Sequence, residues 1–114
     1  MSVDIYHNPR CSKSRQTLEI LTQRNINPRV IKYLETPPNI DELKNLMILL
    51  GITQVREMMR TKEALYKELG LASADEATLL TAIAKHPKLL ERPIVVSNNK
   101  AKIGRPPEQV IEIL

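Results

Sequence analysis

The chain of 114 residues contains no Phe and no Trp, and its only aromatic residues are three Tyr. The core must therefore be built from Leu, Ile, Val and Met. A surface that stacks bases needs aromatic platforms, so general nucleic-acid binding is not expected. A single Cys excludes an intramolecular disulfide and any Cys-rich zinc site. A free thiol without a partner suits a reducing compartment. The two His, His7 and His86, lie far apart and make no metal-ligand pattern with one Cys, so neither a metal nor a bound cofactor is expected. Long hydrophobic runs are also missing. The longest, Leu46 to Leu50, has five residues, far short of a membrane span. The segment Met1 to Tyr6 has neither a basic leader nor an apolar stretch. A cytoplasmic location and no membrane partner are expected. Charge of one sign is only slightly in excess, with 17 Lys+Arg against 13 Asp+Glu and a net charge of +4. That excess suits a small anionic ligand better than a polyanion.

What is present is globular in kind: 42% hydrophobic and 26% charged residues. The length suits one domain, 1–114, which would bury roughly two-thirds of its unfolded surface. Val3-Asp-Ile-Tyr6 alternates as a short strand, and Pro9 breaks it. A helical pattern starts at Ser12, with Leu18 and Leu21 one turn apart, and ends at Asn25-Ile-Asn-Pro28. Arg29 to Leu34 reads as a second strand, completing a β-α-β unit. Asn39 with Glu42 resembles a capping box. It precedes a buried stripe of Leu43, Leu46, Met47 and Leu50, and Gly51 ends that helix. Residues 52–91 carry helix-like patterns only, with a further start signal at Ser73-Ala-Asp-Glu76, and are expected to form a helical insert. Arg92 to Ser97 is a continuously apolar and therefore central strand. Asn98-Asn99 turns the chain into an antiparallel strand, Lys100 to Arg105. Pro106-Pro107 opens a last helix with an expected apolar face of Val110, Ile111 and Leu114.

Chemistry concentrates at Cys11. It falls between the first strand and the first helix, where unpaired N–H groups and the positive end of the helix dipole favour an anion. His7, Arg10, Lys13 and Arg15 lie within four residues. Such a setting lowers a thiol pKa into a range of about 3.5–7.5, whereas an inert Cys would pack as a small hydrophobe in apolar surroundings. The local motif is Cys11-Ser12-Lys13-Ser14, with Ser where a resolving Cys would stand. A self-contained dithiol cycle is impossible, and any redox turnover must draw electrons from an external thiol. The Cys-x5-Arg spacing of tyrosine-phosphatase loops is absent too, since position 17 is Thr.

The segment His7-Asn-Pro-Arg-Cys-Ser-Lys-Ser-Arg15 resembles the active-site loop of the glutaredoxin-coupled arsenate reductase (ArsC-like) family. The resemblance continues through Tyr33-Leu-Glu-Thr-Pro37, Tyr66-Lys-Glu-Leu-Gly-Leu71, Glu91-Arg-Pro-Ile-Val-Val96 and Gly104-Arg-Pro-Pro-Glu108. It covers essentially the whole chain, in order, and looks most like the short bacterial YfgD-like branch. It implies an α/β, thioredoxin/glutaredoxin-like fold: a four-stranded mixed sheet, β-α-β … β-β-α, with a helical insert at about 52–91. It also implies arsenate reduction through a Cys11 thiolate–arsenic adduct, with glutathione as co-substrate and glutaredoxin as partner. By the resemblance, Cys11 is the nucleophile and His7 helps keep it ionised. Arg60, Arg92 and Arg105 bind the oxyanion, and Arg92-Pro93 is the cis-proline junction. Arg10, Ser14 and Arg15 are secondary candidates for thiolate electrostatics.

Each assignment has a plainer counterpart. An Arg is commonly a solvated surface charge. The three Tyr read as core or boundary residues, and His86 as a surface or capping residue. Ser12 and Ser14 read as helix N-terminal donors rather than nucleophiles. The chain stops at Leu114, without the longer C-terminal tail of the resistance-operon enzymes. Two other functions share the fold: an RNA-polymerase-binding transcription regulator, which typically carries the Cys-x-x-Cys that Ser14 breaks here, and a glutathione-linked thiol oxidoreductase with a non-arsenate substrate.

Overall fold

A computed structural model describes residues 2–114. Three strands and a closing fourth form one mixed sheet: β1 (Asp4–Tyr6), β2 (Arg29–Ile31), β3 (Ile94–Ser97) and β4 (Lys100–Ile103), in the order β2-β1-β3-β4. β1 pairs parallel with β2 and antiparallel with β3, and β3 pairs antiparallel with β4. β3 is thus interior, as its unbroken apolar run requires. The hairpin turns on Asn98 and Asn99, both at positive φ (55° and 59°), the backbone a tight turn between twisted strands demands.

The alternation of side chains divides the core in two. Ile5 and Val95, opposite each other in the register, face α1 (Ser12–Gln23) through Leu21 and the C-terminal 3-10 segment through Val110 and Ile113. Tyr6 and Ile94, one residue along, face the opposite layer. There Leu43 and Leu46 of α2 (Ile40–Leu50) pack with Leu79 and Ile83 of α4 (Glu76–Lys85). α2 is delimited as its sequence dictates. Asn39 and Glu42 form a reciprocal capping box, and Gly51 closes the helix in the left-handed conformation at φ 71°.

The expected insert is helical but fragmented. It runs through 3-10 turns at Val55–Met58, Leu71–Ser73 and Pro87–Leu89, a short α3 (Ala64–Glu68) and α4. Arg56 knits it together, its guanidinium donating to Tyr66 Oη at 3.0 Å and to the carbonyls of Leu71, Ala72 and Ala74 at 2.8, 3.1 and 2.9 Å. An antiparallel bridge between Met59 and Leu90 ties the two ends of the insert.

Three boundaries differ from the sequence pattern. β2 ends at Ile31, because β1 offers only three residues to pair with, and the chain then turns through Lys32–Thr36. β4 ends at Ile103: the Gly104 N–H still reaches the Pro93 carbonyl at 2.9 Å in the same register, but Pro93 has no N–H to return the bond. The last helix is a 3-10 segment, Pro107–Ile113. Its period of three buries Pro107, Val110 and Ile113 and turns Ile111 outward, so the expected face of Val110, Ile111 and Leu114 is corrected at Ile111. Among the described residues, no helix is long and apolar enough to cross a membrane.

Candidate active site

The loop from His7 to Cys11 leaves β1 at its C-terminal end and enters α1. Cys11 is the N-cap, with extended φ/ψ of −92° and 123°. Its thiol makes no capping hydrogen bond, and it stands at the end of the helix where the first-turn N–H groups have no helical partner. The first turn of α1 carries no acidic residue, so no carboxylate competes for that position. Cys11 is buried. Burial pushes its pKa up, but the N–H groups of Ser14 and Lys13 and the charge and hydrogen bonding of the Arg92 guanidinium outweigh burial. The net direction is down, toward the thiolate.

His7 reaches this centre through Ser14. The fully buried Ser14 hydroxyl lies 2.6 Å from His7 Nδ1 and accepts the Asn8 N–H at 3.0 Å. Burial, then the charges of Lys32 and Arg15, lower the His7 pKa. A neutral ring whose Nδ1 accepts the Ser14 hydroxyl proton satisfies both groups. His7 thereby holds the Ser14 hydroxyl in place at the start of α1. Ser14 read from the sequence as a helix-start donor; the structure adds its bond to His7. The signal was the spacing: residue 14 is the fourth of the Cys11 turn, under the loop that carries His7.

The three arginines arrive by different routes. Arg92 precedes β3 across a cis Arg92–Pro93 bond, and its guanidinium reaches Cys11. Arg105 follows β4, and its Nε donates to the Arg92 carbonyl at 3.0 Å. Arg60 is carried in by the insert: its N–H donates to Leu89 O at 2.7 Å, and Glu91 N–H returns a bond to Met58 O at 2.8 Å. Arg60 and Arg105 line one groove of about 410 Å³ with Lys62, Glu63 and Glu91.

The arginines differ in what they are bound to. Arg60 Nη1 pairs with Glu63 at 2.9 Å, and Arg105 Nε stands 4.0 Å from Glu91. Arg92 Nε and Nη1 are buried and have no hydrogen-bond partner. Buried donors without acceptors are uncommon and costly, so these two are poised for an acceptor the protein does not itself supply. Tyr33 Oη is in the same state: its side chain is completely buried and its hydroxyl is unpartnered. Its core location matches the sequence reading, which held no hint of the idle hydroxyl.

Arg10 and Arg15 lie on the rim. Arg10 is exposed, with its N–H on Asn8 Oδ1 at 3.0 Å; Arg15 Nη1 donates to Pro9 O at 2.9 Å and so braces the loop. His86 caps the C-terminus of α4, away from Cys11 in the insert. Among the described residues, no group of three or more His, Cys, Asp and Glu is arranged to hold a metal ion.

The ArsC family model matches residues 6–113. The chain is 57% identical over 114 residues to the Escherichia coli protein YfgD, covering 98% of this chain and 96% of that one. It is 53% identical over 116 aligned positions to the arsenate reductase of Haemophilus influenzae, covering 100% of both. The solved structure of an arsenate reductase from Vibrio cholerae superposes with a TM-score of 0.98 at 60% identity, over 100% of this chain and 98% of that chain.

Proposed function

The chain belongs to the ArsC family, and from that premise we propose that it reduces arsenate to arsenite through a thiolate–arsenic adduct on Cys11. The observation that carries the reading is the pairing of a thiol shifted toward its anion with a buried guanidinium that has two donors free. Arsenate is a tetrahedral oxyanion, largely dianionic near neutral pH. Guanidinium forks bind such oxygens bidentately and stay charged when desolvated. Arg92 is assigned to stabilise both the attacking thiolate and the oxygens carried by the arsenic it attacks. Arg60 and Arg105, each already engaged by a carboxylate, are assigned to the outer side of the same anion.

The steps follow from one thiol and an external reductant. Cys11 Sγ⁻ attacks arsenic, forms the S–As bond and expels one oxygen as water or hydroxide; arsenic remains As(V). Glutathione then forms a second S–As bond with loss of another water. A glutaredoxin thiolate attacks the glutathione sulfur and breaks its bond to arsenic. The two sulfurs become a mixed disulfide, and the electron pair stays on arsenic as As(III). Water cleaves the remaining S–As bond, releasing arsenite and the Cys11 thiolate. The lone Cys makes an outside thiol obligatory for the electron pair. No resident cofactor enters the cycle, and the reducing compartment this chemistry needs is the cytoplasm.

The reading takes 1–114 as one domain, because residues of the insert and the sheet share one apolar cluster, as Leu79 and Leu90 do with Tyr6 and Ile94. The test is NADPH oxidation coupled through glutathione reductase, glutathione and glutaredoxin. Arsenate-dependent oxidation by the wild type, lost in Cys11→Ser, is the expected result. Equal oxidation with and without arsenate would sink the substrate assignment, and unchanged turnover in Cys11→Ser would sink the nucleophile.

A further inference from the structure

We propose that Tyr33 is a substrate-binding residue, its hydroxyl joining Nε and Nη1 of Arg92 as a third donor to the oxyanion held at Cys11. This rests on the oxyanion chemistry assigned to the site above. Apart from Ser97 Oγ, these three atoms are the buried side-chain polar atoms without a hydrogen-bond partner among the described residues. All three are donors. A phenol oxygen also accepts, yet none of the three stands in hydrogen-bonding geometry to another.

Position supports the grouping. Tyr33 lies in the turn after β2, and its N–H donates to Ile31 O at 3.0 Å; the same carbonyl accepts the His7 N–H at 2.9 Å. One oxygen thus locks the backbone of Tyr33 to the start of the Cys11 loop. The hydroxyl lies within reach of the charges of Arg92, Cys11 and Arg60 and beside the Asn8 side chain. Burial dominates its titration and, with the Cys11 charge opposing Arg92 and Arg60, pushes its pKa up to about 12. It therefore remains an O–H donor throughout the pH range in which a thiolate works. An orphaned phenol in a packed core would be better replaced by a phenyl ring. Beside a thiolate and two idle guanidinium N–H groups, the hydroxyl matches an acceptor-rich tetrahedral ligand. It differs from arginine in adding a donor without adding charge.

The decisive variant is Tyr33→Phe in the full chain, which keeps the ring and removes only the oxygen. The KM for arsenate in the coupled assay, and the arsenate concentration that half-protects Cys11 from iodoacetamide, should both rise by roughly 10- to 150-fold, the scale of a hydrogen bond to a charged acceptor. The midpoint pH of alkylation without arsenate and the thermal midpoint should hold. Wild-type KM and wild-type protection in Tyr33→Phe would overturn the proposal. A second measurement needs no variant. In protein labelled with ζ-¹³C tyrosine, arsenate should move the Tyr33 resonance and leave those of Tyr6 and Tyr66; an unmoved Tyr33 would also overturn it. Absence of wild-type turnover would refute the reductase reading instead, and the resonance is read independently of turnover.

Discussion

Replacing Arg92 with Ala tests the electrostatic core of the site. Arg92 contributes both charge and a hydrogen bond to Cys11, against a burial that favours the neutral thiol. Removing it leaves the N–H groups of Ser14 and Lys13 to oppose burial alone. A hydrogen bond to a charged group is worth about 1.5–3 kcal/mol, and one pKa unit corresponds to about 1.4 kcal/mol. Losing an interaction on that scale should destabilise the thiolate, so the thiol pKa in Arg92→Ala should rise and its alkylation profile should move to higher pH. The sign is fixed: the folded-state pKa is depressed in the wild type, so the thiolate persists to lower pH there than in the variant. The assay is the rate of iodoacetamide alkylation of the single Cys against pH, read by mass spectrometry. Beyond its interaction with Cys11, little is lost to folding, because Nε and Nη1 have no partners to lose and the backbone carbonyl that receives Arg105 remains. Arg92→Lys should recover part of the shift through its charge, but not the two-pronged geometry. An alkylation profile in Arg92→Ala that overlays the wild type would refute the account of why the Cys11 pKa is lowered.

Gly104→Ala should lower the thermal midpoint, by about 1–3 kcal/mol of stability, because a Cβ there would meet Thr17 Oγ1 at 2.6 Å and Pro93 Cγ at 2.8 Å; a wild-type melting curve would show that α1 and the Pro93 ring give way easily. Arg56→Met should cost about 2 kcal/mol or more in urea denaturation, since Tyr66 Oη and three carbonyls lose their donor; an unchanged midpoint would mean that water replaces it. The pKa of His7 is depressed in the folded state, chiefly by burial, from its ordinary 6.5. Its neutral form is accommodated above that value, and stability should fall as pH drops below about 6.5 toward the folded pKa. A His7→Gln variant should flatten that acid limb of Tm against pH, and an unaltered slope would assign the limb to other groups.

Much of the frame was legible because its signals are local. Asn39 and Glu42 satisfy each other's backbone within a single turn. Asn98-Asn99 can take the positive φ of a hairpin turn wherever it is placed. Cys11 had to stand at a helix start, since Pro9 ends a strand before it and the helical period begins after it. The lone thiol also dictated an external reductant, a consequence of counting alone. What the tertiary structure decided depends on partners distant in the chain. The phase of the last helix was set by contact with α1 and the sheet, which chose a period of three and left Ile111 outside. The three arginines look alike in sequence, yet Glu63 and Glu91 engage Arg60 and Arg105, and burial without an acceptor singles out Arg92. Tyr33 is one more apolar ring by pattern. Only the turn that pins it to the His7 backbone, and a buried hydroxyl with no partner in hydrogen-bonding geometry, separate it from the core around it. Local rules place a residue on an element, but whether its donors are satisfied depends on which neighbours the sheet order brings within three ångströms.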